Sequence, residues 1–217
     1  MWSEPAFDLL RGVAGYTQNE LVGSLAQTVA RHPRARFDIA FNHKQIACKA
    51  WARDRLYETL GPRHACIWIA GGWYGVLAAM LFDDPRFEIG LICSLDIDPH
   101  VAPIAETLNA KAQADGRFRA ATRDMFDLNY RGGELPTPSL VINTSSEHIA
   151  DLGAWLALLP ARQPVLLQSN NNRAEREHIN CMPSLDAFAA AAQLCEVLFA
   201  GELPLKRYTR YMLIGRR

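Results

Sequence analysis

Residues 66–81 read CIWIAGGWYGVLAAML, and Gly71, Gly72 and Gly75 break an apolar run where it turns into a helix-like pattern. A turn so poor in Cβ atoms lets the main chain approach a small ligand, and the free amides of the following helix suit an anionic group. The same glycines also serve a tight strand-to-helix corner, so alone they leave both readings open. One strand and one helix later, SLDIDPH ends an apolar run on Asp96 with Ile97 beside it, and a carboxylate there accepts both hydroxyls of a ribose. Asp98 and Pro99 read as the N-cap and first residue of the next helix. AATRDMFDL then brings Asp124 and Met125 to the same rim, where the acid suits the exocyclic amine of adenine and Met125 with Phe126 its ring.

A second polar group follows the run PSLVI: Asn143, Thr144, Ser145, Ser146, Glu147 and His148. A histidine beside a glutamate suits proton removal from an acceptor nitrogen or oxygen near neutral pH, so Asn143, Glu147 and His148 are the candidate catalytic groups. The alternative is a helix start, with a serine cap, Glu147 in the first turn and His148 solvated. A third group lies in QSNNNRAEREHINCMPS, a long connection of the kind that often binds substrate. Asn170, Asn171, His178 and Asn180, with Thr144 and Tyr208, are the candidate acceptor-binding residues, while an asparagine turn in a surface loop is the competing account. Glu147, His148 and His178 have no paired metal-ligand spacing, so no metal is expected.

These groups need a scaffold, and the hydrophobic periodicity supplies one. Residues 19–30 and 43–60 repeat apolar positions at three and four and predict two amphipathic helices, an N-terminal helical cap spanning residues 1–62. From residue 63 to 217, seven short apolar runs alternate with helical stretches expected to begin near Tyr74, Pro99, Glu147 and Ser184. Runs without polar alternation belong to a parallel sheet covered on both faces, so the fold class is α/β, doubly wound and Rossmann-like, with seven mostly parallel strands. The last two runs are too close for a helical crossover and must pair antiparallel, which makes the final strand antiparallel. Tyr208 and Tyr211 open that strand, Tyr211 as core.

Composition narrows the partners. Lys plus Arg number 23 and Asp plus Glu 23, so no field of one sign invites a nucleic acid or an anionic membrane. Basic residues crowd between Arg31 and Arg63, a pattern read as a solvated helix face. The 5 cysteines are scattered, which suits reduced thiols in a cytoplasmic protein. Glu4 and Asp8 exclude a signal peptide at the start of this sequence, and no apolar run reaches membrane-spanning length. The expected partner is a small-molecule substrate, with a homodimer left open.

Over residues 65–217 the chain resembles the class I S-adenosylmethionine-dependent methyltransferases. The resemblance rests on the GGWYG turn, on SLDIDP, on Asp124 with Met125, and on the closing pair of strands. It implies S-adenosyl-L-methionine as cofactor, held by Gly71, Gly72, Trp73, Tyr74 and Gly75 at its methionine end, by Asp96 and Ile97 at the ribose, by Asp124 and Met125 at the adenine, and by Asn143. It implies methyl transfer to a small polar molecule. Two positions depart from the family pattern: Ile69 stands where an acidic residue is usual, and Trp73 where a glycine is usual. Trp73 and Tyr74 therefore either face the sulfonium as cation–π partners or pack beneath the cap. Two other uses of the cofactor stay open: a cyclase or lyase releasing methylthioadenosine, and binding without turnover.

Overall fold

The computed structural model describes residues 4–217, with side chains from Phe7 onward; residues 1–3 of the expected cap lie outside the described residues. The chain opens with α1 (Glu4–Thr17), α2 (Glu20–Arg31), α3 (Phe37–Ala40) and α4 (His43–Leu60). β1 (Arg63–Ala70), α5 (Val76–Asp83), β2 (Glu88–Asp96), α6 (Ala102–Leu108), α7 (Ala110–Ala114) and β3 (Phe118–Thr122) follow. The second half holds β4 (Leu140–Asn143), α8 (Leu152–Ala157), β5 (Pro164–Asn170), α9 (Leu185–Ala192), β6 (Glu196–Pro204) and β7 (Thr209–Arg216).

The strands form one sheet in the order β3-β2-β1-β4-β5-β7-β6. Neighbours from β3 to β5 pair in parallel, and β7 runs antiparallel to both β5 and β6. The expected final pair is present, with β7 inserted inside the sheet and β6 at the edge. Strands β1 and β4 are apolar because both faces are covered. Trp68, Trp155 and Phe188 fill one side beneath α8 and α9, while Ile67, Ile69, Leu166 and Met212 meet Ala52 and Leu56 of α4 on the other.

That second layer redraws the N-terminal region. α4 lies against the sheet as a layer helix, capped by Asn42, whose side chain accepts from the amides of Lys44 and Gln45. The smaller α1–α3 unit packs on α5 and α6, through Val29, Phe37 and Ala40 against Tyr74, Val76, Ile104 and Leu108. A contact of 2.9 Å between His32 Nε2 and Thr107 Oγ1 ties it down further.

Two helix starts differ from expectation. Asp98 accepts from the His100 amide at 2.8 Å and closes a turn, so the helix begins at Ala102. After β4, Ser146–His148 is a single 3-10 turn, and α8 starts at Leu152 under an Asp151 cap. In both places a short polar side chain satisfies the turn locally and delays the helix. Among the described residues no helix is long and apolar enough to cross a membrane.

Candidate functional site

The carboxyl ends of the parallel strands form one rim, and its first half lies over β1, β2 and β3. The glycine turn is held to the sheet, with the amides of Gly71 and Gly72 donating to the Leu95 carbonyl at 2.8 and 3.0 Å. A Cβ on Gly72 would lie 2.1 Å from Ser94 Oγ, and one on Gly75 would lie 2.7 Å from Asn109 Nδ2. Gly71 and Gly75 also adopt φ of 69° and 71°, which other residues disfavour. The glycines are thus needed by the close packing of this corner.

Asp96, half-buried at the tip of β2, accepts from the Trp73 amide through Oδ2 at 2.9 Å and from the Asp98 amide through Oδ1 at 3.1 Å. These two amide donors set the direction of the carboxylate and leave it further lone pairs for hydroxyl donors. Ile97 is 67% exposed beside it, and Phe126 is 42% exposed beyond β3. Asp124 caps the turn Met125–Asp127 by accepting from the Phe126 amide at 2.9 Å, and Met125 is partly buried with its carbonyl accepting from Tyr130 Oη at 2.9 Å.

Trp73 and Tyr74 both pack beneath the cap, Trp73 only in part. Tyr74 is buried in the cap core, 5.3 Å from the Phe37 ring and stacked on Trp73 at 4.5 Å. Trp73 holds a φ of 46°, a left-handed conformation where the family pattern carries glycine. Its ring packs against that same cap core.

Asn143 is fully buried at the end of β4. Its Nδ2 donates to the Ala70 carbonyl at 2.9 Å, and its Oδ1 accepts from the Ser145 amide and Ser146 Oγ, both at 3.0 Å. Three bonds commit its amide to joining the β1 and β4 loops, and the structure gives it that positioning role.

The other half of the rim lies over β4, β5 and the start of β7. Glu147 and Arg210, 2% and 4% exposed, form a buried ion pair with Nη1 donating to Oε1 at 2.9 Å; the same Nη1 donates to the Thr144 carbonyl at 3.2 Å. The loop after β5 is sewn to this pair, because Asn180 donates its amide to the Glu147 carbonyl and its Nδ2 to the Ile149 carbonyl, both at 2.9 Å. That brings His178 in, with Nδ1 at 2.7 Å from the Asn172 carbonyl and Nε2 at 3.9 Å from Glu147 Oε1. The His148 ring meets the His178 ring edge-on at 4.9 Å, with His148 exposed to solvent.

Asn170 Oδ1 accepts from the Asn172 amide at 2.7 Å, and Asn171 Oδ1 accepts from the Thr209 amide at 2.8 Å. Asn171 and Asn180 therefore act as loop anchors, and Asn170 Nδ2 is buried with no partner among the described residues. Tyr208 and Thr144 are half-buried nearby, and burial pushes the Tyr208 hydroxyl up.

Sequence reasoning missed two members. Arg210 interrupts an apolar strand, and that single charge was the available signal. Burial opposes its cation, yet Glu147 raises its pKa above the ordinary value. Lys49, expected on a solvated face, is half-buried on α4, and burial followed by the Arg210 charge lowers it to about 8.

No family model matches the sequence, and no curated protein matches it. Solved structures do share the fold. The N-methyltransferase NodS from Bradyrhizobium japonicum WM9, in complex with S-adenosyl-L-homocysteine, aligns with a TM-score of 0.61 at 10% identity over 87% of this chain and 97% of that one. Geranyl diphosphate C-methyltransferase from Streptomyces coelicolor A3(2), with Mg2+, geranyl diphosphate and S-adenosyl-L-homocysteine, aligns with a TM-score of 0.58 at 14% identity over 82% of this chain and 83% of that one. The seven-stranded sheet with its antiparallel β7 is the Rossmann-like fold of those methyltransferases.

Proposed function

We propose that this chain is a cytoplasmic S-adenosylmethionine-dependent methyltransferase acting on a small polar molecule. The observation that carries the reading is the convergence of the Gly71–Gly75 turn, Asp96 and the Asp124–Met125 segment at adjoining strand tips of a 3-2-1-4-5-7-6 sheet. The step from fold to activity is an analogy with solved neighbours, and the rim residues support it by their chemistry. Ile97, next to Asp96, and Phe126, two residues after Asp124, expose large apolar side chains near adjoining strand tips, which suits packing on an aromatic base. Five free thiols agree with a reducing compartment.

In this reading Asp96 holds the ribose hydroxyls, and Ile97, Met125 and Phe126 flank the adenine. The bound sulfonium supplies a methyl group already activated for displacement, so alignment with the acceptor contributes most of the rate. Asn171 and Asn180 hold the loop assigned to the acceptor side, and the chemistry of the neighbouring His148 and His178 suits taking a proton from an acceptor oxygen or nitrogen.

Calorimetric titration with S-adenosyl-L-homocysteine tests the reading. The intact protein is expected to bind it, and Asp96→Ala to weaken binding by about 2–3 kcal/mol, roughly 100-fold, through loss of charge-assisted hydrogen bonds. Equal affinity in the variant would remove the assignment of the β1–β3 rim. Chromatography of the nucleoside left after turnover then separates methyl transfer, which leaves S-adenosylhomocysteine, from cyclase or lyase chemistry, which leaves methylthioadenosine.

A further inference from the structure

Glu147 and His148 are adjacent in the β4 turn and His178 lies 30 residues on, yet a carboxylate oxygen and one nitrogen from each ring all lie within 4.8 Å of one another. On a single ion with bonds of about 2.1 Å, ligand atoms stand roughly 3–4 Å apart, so small side-chain rotations close the set. The groups around it are arranged as metal ligands require. The Asn172 carbonyl, 2.7 Å from His178 Nδ1, can only accept, so Nδ1 carries the hydrogen, and in the neutral ring the Nε2 lone pair faces Glu147 as a metal ligand requires.

Nε2 and Glu147 Oε1 are 3.9 Å apart, beyond hydrogen-bonding distance, and with the neutral ring an electron pair facing a carboxylate oxygen is relieved by a metal cation between them. Glu147 Oε2 is buried with no hydrogen-bond partner among the described residues, an expensive state for a carboxylate oxygen. Arg210 braces the other oxygen, as an outer partner of a ligating carboxylate does. His148 remains solvent-exposed and gives an ion a path of entry.

The geometry points to a divalent-cation site formed by Glu147, His148 and His178, suited by its two imidazoles to zinc or a first-row neighbour such as cobalt(II) rather than to magnesium or calcium. Three protein ligands leave coordination positions open. Because Arg210 already offsets the Glu147 charge, a bound dication leaves the cluster positive, and those open positions favour an anionic oxygen ligand: hydroxide, an ionised hydroxyl or a carboxylate. The site goes beyond the proposed methyl transfer and does not depend on it; an ion held here would occupy the imidazole lone pairs, so His148 and His178 would then act as ligands and not as proton acceptors.

The test uses the full chain with any affinity tag removed, stripped with a chelator and titrated with cobalt(II), then with zinc in competition. One equivalent of cobalt(II) is expected to bind with a visible ligand-field band that zinc abolishes. His148→Ala and His178→Ala are each expected to weaken binding by about 100-fold, the upper end of what loss of even an outer partner costs, while His100→Ala leaves it unchanged. His148 is exposed, so its variant keeps the fold; circular dichroism checks this. Failure to bind an equivalent of either metal, or binding that survives both substitutions in folded protein, would overturn the site. Binding of S-adenosyl-L-homocysteine is read separately on the same metal-free protein, so loss of one conclusion is distinguishable from loss of the other.

Discussion

The rim over β1–β3 and the rim over β4, β5 and β7 occupy the same edge of one sheet, yet they are assembled in opposite ways. The first is made of turns: Gly71, Gly72 and Trp73 bond to Leu95 and Asp96 next door, and the exposed side chains Ile97 and Phe126 lie within two residues of a strand tip or of its capping acid. The second is built on a buried ion pair, Glu147 from the β4 turn with Arg210 from β7, joined by His178 from the loop after β5 and the half-buried Lys49 from α4. Local geometry holds the first rim, and a desolvated network of residues distant in sequence holds the second.

Substitutions that sharpen this contrast rank by what they leave unpaired. Arg210→Met strands the buried Glu147 carboxylate and is expected to cost about 3–5 kcal/mol. Denaturant unfolding should show this as a lower midpoint with an unchanged slope, and adding Glu147→Gln should recover much of the loss, since the neutral amide no longer needs a cation. A loss that the double variant does not reduce would mean that Arg210 acts by packing alone.

In the first rim the corresponding strain is steric. Gly72→Ala drives a methyl group into Ser94 Oγ at 2.1 Å and is expected to cost about 1–3 kcal/mol, with part returned by Ser94→Gly in the same chain. A neutral Gly72→Ala would show that the turn yields easily.

The smallest effect tests the charge in the second rim. Lys49 is lowered from 10.5 to about 8 in the fold. Below about pH 8 both folded and unfolded chains carry its proton and the cost of the half-buried cation is borne in full; between about 8 and 10.5 the unfolded chain keeps a proton the folded chain has released, so this group makes stability rise with pH. Lys49→Met should therefore raise Tm at pH 7 by about 2–4 °C and flatten that rise in calorimetric scans from pH 7 to 10.5. A lower Tm at pH 7 would mean that the bond from Lys49 Nζ to Gln45, 2.7 Å long, outweighs the burial.

Much of the scaffold was legible before the structure. The run CIWIA reads as a strand because two covered faces demand apolar residues throughout, and the spacing of seven such runs with helical stretches between them leaves few topologies besides a doubly wound sheet. Helix starts were harder. Asp98 and Ser146 look like caps, but Asp98 accepts from a turn amide and the Ser146 hydroxyl donates to Asn143 Oδ1, because a short polar side chain bonds as well within a turn as at a helix N-terminus. α4 reads as a cap helix by periodicity alone, which registers an apolar stripe but not the surface it covers.

The order of glycine turn, Asp96 and Asp124 along the chain was enough to mark the first rim, since each residue works within its own loop and the strand sequence carries the loops to one edge. The second rim has no such linear order. Glu147, His178 and Arg210 become neighbours because β7 enters antiparallel beside β5, setting Arg210 opposite Asn170, and because Asn180 draws the following loop back onto β4. Charge burial depends on what surrounds a residue in space, and residues 63 positions apart acquire that relation through strand pairing and loop docking, not through spacing.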